Sequence, residues 1–399
     1  MELDVPLSDP PTAHAELQNE VLGAPRRLVF GFLDLADAGA QRLTLITCRH
    51  LDRGRFRPAV LCARGEGGLV ARARDEGWDV RTLGRLRRRF DLPAVAILAR
   101  ELRELACDVL HVPLYSRASP YLRLAGRLAR VRLIVAHDWS QPAPSPLLRR
   151  LADALLDGGT RFVAASQAQR GELLGRGVPD SAIRVIHAGI EWADFGLASR
   201  SASRRELGLP EDAKIVLVPA RLHAVKGHAD LLAALPRVRA AVPGLQVLCA
   251  GEGPSRATLA ARADALGLGG TVQWLGWREE MPRLLAAADL VVLPSHVEGL
   301  PAALLEAFAA RRAVVATAVG GVPEALTDGI EGRLVPARRP EELGAAILSL
   351  LADPARCQAM GEQGRRTVER RFDARASTRA LEEAYEAWLA EAARRAARV

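Results

Sequence analysis

Residues 298–306 read EGLPAALLE, and residues 290–297 before them read LVVLPSHV. The upstream run is apolar and β-branched, the pattern of a strand buried on both faces, and the run from Ala302 onward is apolar and helical in character. A strand followed at once by a helix, with Gly299 and Pro301 at the turn, predicts a βα unit of a parallel sheet. Pro301 suits the first helical position, because its missing N–H has no intrahelical partner there, and Gly299 lets the backbone approach a ligand closely. The free amides of the helix start favour an anion. A phosphate bound there leaves Glu298 beside whatever the phosphate carries, and Glu306, about a turn and a half along, as an acceptor for hydroxyls.

Working outward, apolar strand-like runs alternate with helix-length amphipathic segments. In the first half the runs are LVFGFLDL (28–35), PAVLCA (58–63), DVLHVPL (108–114), RLIVAH (132–137), RFVAAS (161–166) and RVIHAGI (184–190). The alternation restarts with KIVLVPA (214–220), QVLCAGEG (246–253), TVQWLGW (271–277), LVVLPS (290–295) and AVVAT (313–317). Such alternation predicts an α/β fold with two doubly wound parallel sheets, and ligands of these sheets bind beyond the carboxyl ends of the strands. The predicted division is a tail at 1–25, a first domain at 26–195, a small, polar linker at 196–210, a second domain at 211–373 and a terminal helix at 374–399.

At 399 residues the chain suits two domains of ~150–200 residues each. No apolar run reaches the ~18 residues of a membrane span, and the first 25 residues are acidic with no Lys or Arg, unlike a secretory signal. The five cysteines are scattered, with no C-x-x-C spacing, which suggests neither a disulfide framework nor a zinc site and points to a reducing cytoplasm. Net charge is +8, carried by the first half: residues 26–190 hold 28 basic and 16 acidic side chains, a net +12. Nucleic-acid binding is disfavoured, since aromatics are only 4% and no recognition motif is present. Lys214 and Lys226 are the only lysines among 55 basic residues, so Lys226 stands out in its loop.

ARLHAVKGH (220–228), AGEGP (250–254), EGLPAALLE (298–306) and VGGVPE (319–324) stand in the order and spacing of a known family. The chain resembles the retaining glycosyltransferases of family 4 (GT4), which have the GT-B fold of two Rossmann-like domains facing an interdomain cleft. The resemblance covers nearly the whole chain. It implies transfer of a sugar from a nucleoside diphosphate sugar to a hydroxyl of a sugar, lipid-linked or small-molecule acceptor, with retention at the anomeric carbon, in polysaccharide, glycolipid or other glycoconjugate synthesis. By the same resemblance Arg221 and Lys226 hold the departing diphosphate, Glu306 accepts from the ribose hydroxyls, Glu298 faces the sugar, and the amides of Gly299 and Leu300 serve sugar or phosphate. Gly251 shapes the cleft edge, Trp277 lies near the nucleobase, and the terminal helix returns to brace the first domain. No metal or cofactor is implied.

The first domain matches more loosely. DAGAQR (37–42) stands where the family has two adjacent glycines, so Ala38 replaces one and Gly39 remains to approach a diphosphate. His137 ends a strand where relatives place a histidine near the sugar. HAGIE (187–191) puts Ala188 where a customary asparagine contact would be, and Pro113 takes the second place of an H-x-H pair begun by His111. Gly320 and Gly321 are expected near the donor, and Glu324 to cap the helix that follows it. RLRRRF (85–90) reads either as a peripheral contact with anionic lipid at the inner face of a membrane or as a solvated loop. A catalytically silent, transferase-like subunit is the alternative from another class. A dinucleotide-dependent dehydrogenase is disfavoured, because no G-x-G-x-x-G follows the first strand of either half.

Overall fold

The computed structural model describes residues 24–35, 39–65, 67–86, 91–112, 118–138 and 156–397. Most of the expected tail, Ala38, Pro113 and the last four residues of RLRRRF lie outside the described residues. The first domain holds seven strands: β1 (Arg26–Asp34), β2 (Phe56–Gly65), β3 (Asp79–Thr82), β4 (Val109–Val112), β5 (Leu133–Asp138), β6 (Arg161–Ala164) and β7 (Ile183–Val185). The second holds β8 (Ile215–Pro219), β9 (Gln246–Ala250), β10 (Val272–Gly276), β11 (Leu290–Leu293), β12 (Val314–Thr317) and β13 (Gly332–Val335).

Among the described residues the named strands pair in parallel, in the orders β3-β2-β1-β4-β5-β6-β7 and β10-β9-β8-β11-β12-β13. In both sheets the chain first runs outward to one edge and then crosses back past its starting strand. The switch points therefore lie between β1 and β4 and between β8 and β11, where crevices open beyond the strand ends. The central strands are apolar on both faces because helices cover both faces; Leu290, Val291 and Val292 are fully buried.

Two strands escape the sequence pattern, and both lie on sheet edges: β3 is DVRT and β13 is GRLV. An edge strand has one neighbour and tolerates charge. The stretch read as a linker also differs from expectation, since it contains the helix Arg200–Glu206 with Ser199 as its cap. Arg204 is fully buried and donates to the carbonyls of Ala287 and Ala213 and to Asp289, which fastens the segment to the second domain.

The helix Ala374–Ala396 crosses to the first sheet, where Leu381, Tyr385 and Trp388 join a core containing Phe30, Phe56 and Val135. Where the chain crosses between domains, the Ile190 amide donates to the Phe372 carbonyl and the Ala374 amide to the Ile190 carbonyl. Leu43 and Ile46, from the first-domain helix Gly39–His50, pack into the second-domain core that also contains Leu300 and Leu304. The five cysteines form no disulfide, and no described helix is long and apolar enough to cross a membrane.

Candidate active site

The two loops with the most suggestive sequence leave adjacent strands. The 220–227 loop follows β8 and the 294–301 loop follows β11, on either side of the second switch point. Three contacts clip the second loop to the first and to the helix that follows it, His228–Ala241. The His296 amide donates to the Val225 carbonyl at 2.7 Å, His296 Nε2 lies 2.7 Å from Asp230 Oδ2, and Gly227 lies hard against the Pro294 carbonyl. Gly227 has φ +66°, and a Cβ there would overlap that carbonyl, so glycine is required on both counts.

This register brings Lys226 Nζ to 2.6 Å from Glu298 Oε1, and the same oxygen accepts from Ser295 Oγ at 2.7 Å. Glu298 is 8% exposed, so its charge is compensated rather than solvated. Arg221 is exposed, with no ion pair or hydrogen bond of its guanidinium among the described residues. Gly251 supports the Arg221 loop from beneath: a Cβ on it would strike the Ala220 carbonyl, and its amide donates to the Gly276 carbonyl at 2.7 Å. Leu300 is a core side chain, 3% exposed, which leaves its backbone as the part available to a ligand.

Pro301 takes the capping position of the helix Ala302–Ala309, one residue earlier than expected, and no side chain caps that helix. Its start faces the start of the helix Gly39–His50: a Cβ built on Gly39 lies 3.9 Å from Ala302 Cβ. Two helix starts, one from each switch point, thus converge on one spot, and both present the positive end of a helix dipole. Gly39, Arg42, Glu279, Met281, Ala302 and Glu306 line an interdomain cavity of about 240 Å³ there. Glu306 is half-buried, and burial pushes its carboxyl above the usual range while Arg42 works to lower it. The Arg42 guanidinium also lies 5.6 Å from the centre of the Trp277 ring.

His137 is placed elsewhere. It is 4% exposed and sits against His111, ring centres 5.3 Å apart, at a separate cavity of about 20 Å³, room for a single water. Burial, with the neighbouring His111 adding to it, holds His137 well below the usual histidine range; burial also pushes His111 down to about 3, and His111 Nδ1 bonds the Tyr385 hydroxyl. The structure does not bring His137 to the cavity shared by Gly39 and Glu306.

Glu324 also departs from expectation. It caps a helix in the other domain, its carboxylate accepting from the Gln167 and Ala168 amides at 3.0 and 3.2 Å. Gly320 and Gly321 press on the backbone of residues 298–299, with the Gly321 amide donating to the Gly299 carbonyl at 2.6 Å. Sequence reading missed Ser295, three residues before Glu298, and Arg42, three residues after Gly39 in the first turn of its helix; that spacing was the available signal. Among the described residues no cluster of three His, Cys, Asp or Glu side chains is placed to hold a metal.

Two Rossmann-like domains whose switch points face each other across a charged cleft define a GT-B protein. The family described as "Glycosyl transferases group 1" matches residues 199–367, and "Glycosyltransferase Family 4" matches residues 38–193. The chain belongs to this glycosyltransferase family. It is 36% identical over 255 residues to D-inositol 3-phosphate glycosyltransferase of Segniliparus rotundus, covering 61% of this chain and 56% of the relative. The counterpart from Mycolicibacterium smegmatis is 36% identical over 230 residues, covering 55% and 51%. The chain thus spans about half the length of these curated relatives. Anabaena Alr3699/HepE in complex with UDP and glucose shares the fold, with a TM-score of 0.80 at 22% identity over 90% of this chain and 99% of that one. Sucrose-phosphate synthase from Thermosynechococcus elongatus shares it too, with a TM-score of 0.74 at 21% identity over 92% and 100%.

Proposed function

We propose that this chain transfers a sugar from a nucleoside diphosphate sugar, of which a uridine donor is the first to test, to an acceptor hydroxyl, with retention at the anomeric carbon. The observation that carries this reading is the meeting of two helix starts at Gly39 and Ala302, at a cavity that Arg42 and Glu306 also line. Such a spot suits a diphosphate, and the half-buried Glu306 suits the ribose hydroxyls. The solved relative that holds UDP and glucose supports the choice of base.

In this mechanism the donor's C1–O bond breaks, the electron pair leaves with the diphosphate, and the acceptor oxygen bonds C1 on the face just vacated. A diphosphate oxygen takes the acceptor's proton. Lys226, Arg221 and the helix amides stabilise the charge that grows on the leaving group, which is where preorganised donors act most strongly. Glu298 holds the sugar ring while Lys226 and Ser295 fix its carboxylate. His137 is left out of the assignment, because it is enclosed with His111. No metal has a role: the positive charge comes from these cations and helix ends.

A thermal-shift screen of UDP-, GDP-, ADP- and TDP-sugars tests the reading. A donor that binds only the folded form at a hundredfold excess over its Kd stabilises it by ~2.7 kcal/mol. Turnover of the stabilising donor to free nucleoside diphosphate in the presence of an acceptor supports transfer; donor binding without turnover returns the silent-subunit alternative.

A further inference from the structure

Glu324 belongs to the second domain, in the short helix Val322–Ala325, but its carboxylate bonds the first. Of the first three amides of the first-domain helix Gln167–Gly175, the third is bonded by Ser166 Oγ from its own domain. The other two donate to Glu324, across the domain boundary. His187 Nε2 completes the group at 2.9 Å from Glu324 Oε2. A carboxylate at a helix start, bonded by amides and an imidazole, is among the stronger polar contacts available at an interface. Its carboxyl reflects this. Burial acts to raise it, but the Gln167 amide, His187 and the Ala168 amide outweigh burial and hold it below the usual range.

The same segment touches the sugar-facing loop. A Cβ on Gly320 would overlap the Glu298 carbonyl, and one on Gly321 would overlap the Gly299 carbonyl while lying 2.7 Å from Ser166 Cβ. The backbone of residues 320–321 is therefore wedged between the first domain and the loop that carries Glu298. The chain crossings lie alongside: His187 packs edge-on against Phe372 at 5.7 Å, its carbonyl accepts from Ser377 Oγ at 2.7 Å, and Arg371 donates to the Glu324 carbonyl at 2.7 Å.

We propose that Glu324 is a positioning residue: it seats the first-domain helix Gln167–Gly175 on the second domain and, through the glycines at 320–321, sets the position of Glu298 for transfer. The kinetic part of this rests on the transferase reading above.

The test is a double-mutant cycle. Glu324→Ala lowers kcat about tenfold with donor KM within about threefold of wild type, and in a Glu298→Gln background the same change has less than about a twofold further effect, because both act through one carboxylate. Multiplying effects, or an unchanged kcat in a folded Glu324→Ala protein, overturn the proposal. If Glu324→Ala does not fold, Glu324→Gln, which keeps one acceptor oxygen, runs the same cycle with the same criteria. Hydrogen exchange reads the seating without activity. The amides of Gln167, Ala168 and Gly321 exchange faster in either variant, and unchanged protection at Gly321 sinks the idea whatever the kinetics. A wild-type protein that turns over no donor refutes the transferase reading alone and leaves the exchange result to decide this one.

Discussion

Lys226 Nζ stands 2.6 Å from Glu298 Oε1, while Arg221, five residues earlier in the same loop, reaches no partner among the described residues. The two cations therefore differ in what they do before a donor arrives. Lys226 compensates a buried carboxylate, and Arg221 waits in solvent. Removing Lys226 leaves the buried Glu298 carboxylate without its counter-charge and with the Ser295 hydroxyl as its remaining donor, a cost of about 1–3 kcal/mol. Lys226→Ala is thus expected to lower both stability in urea and transfer, the latter by ~10²-fold or more. Arg221→Ala is expected to lower transfer by a similar factor with an unchanged urea midpoint. Near-normal kcat in folded variants removes the leaving-group role from both.

The two carboxylates separate kinetically. A group that holds the ribose makes much the same bonds in the ground and transition states, so Glu306→Gln chiefly raises donor KM. In the proposed mechanism Glu298 faces a sugar whose C1 turns cationic, so Glu298→Gln is expected to lower kcat more than it raises KM. Steady-state kinetics on both variants, with folding checked by circular dichroism, decides; the reverse pattern exchanges the roles.

On the proposed mechanism Lys226, Arg221 and two helix starts supply the positive charge for the leaving diphosphate, so transfer is expected to survive exhaustive EDTA treatment. Activity lost to EDTA and restored by Mg²⁺ or Mn²⁺ reverses this.

Glycines hold the site's shape. Gly227 and Gly320 have φ of +66° and +52°, and each would place a Cβ into a neighbouring carbonyl. Gly227→Ala and Gly320→Ala are each expected to cost about 1–3 kcal/mol in urea denaturation and to lower kcat in the protein that remains folded, since both loops then shift. Wild-type midpoints in both variants contradict the close packing.

What the sequence made legible was what repeats or what sits in the middle. Buried central strands such as LVVL of β11 announce themselves, whereas DVRT of β3 and GRLV of β13 carry charge that only an edge position permits. EGLPAALLE and the Lys226 loop were readable because each lies on one strand-to-helix connection. Contacts made by distant segments were not: nothing local says that Glu324 caps a helix more than 150 residues earlier, that His137 turns toward His111, or that Arg204 binds the carbonyls that fasten a polar stretch to a domain. Tertiary packing decided those.

Glu306 gives the pH dependence its sign. Desolvation raises its carboxyl from 4.5 in the folded protein, with Arg42 lowering it only in part, so it holds its proton to higher pH than an exposed carboxylate does. On the proposed reading, the ionised form is the one that accepts from the ribose hydroxyls. Donor KM is therefore expected to rise as pH falls, beginning above the ordinary carboxylate range, and Glu306→Gln, which has no charge to lose, is expected to flatten that limb. The stability of the unliganded protein moves the other way. Because the folded state binds the proton more tightly than the unfolded state, stability falls as pH rises from the unfolded value through the folded one, and the Gln variant lacks this fall. Donor titrations and urea midpoints measured across the acid range on wild type and Glu306→Gln check both limbs. A donor KM that stays flat with pH in the wild type removes Glu306 from the ribose.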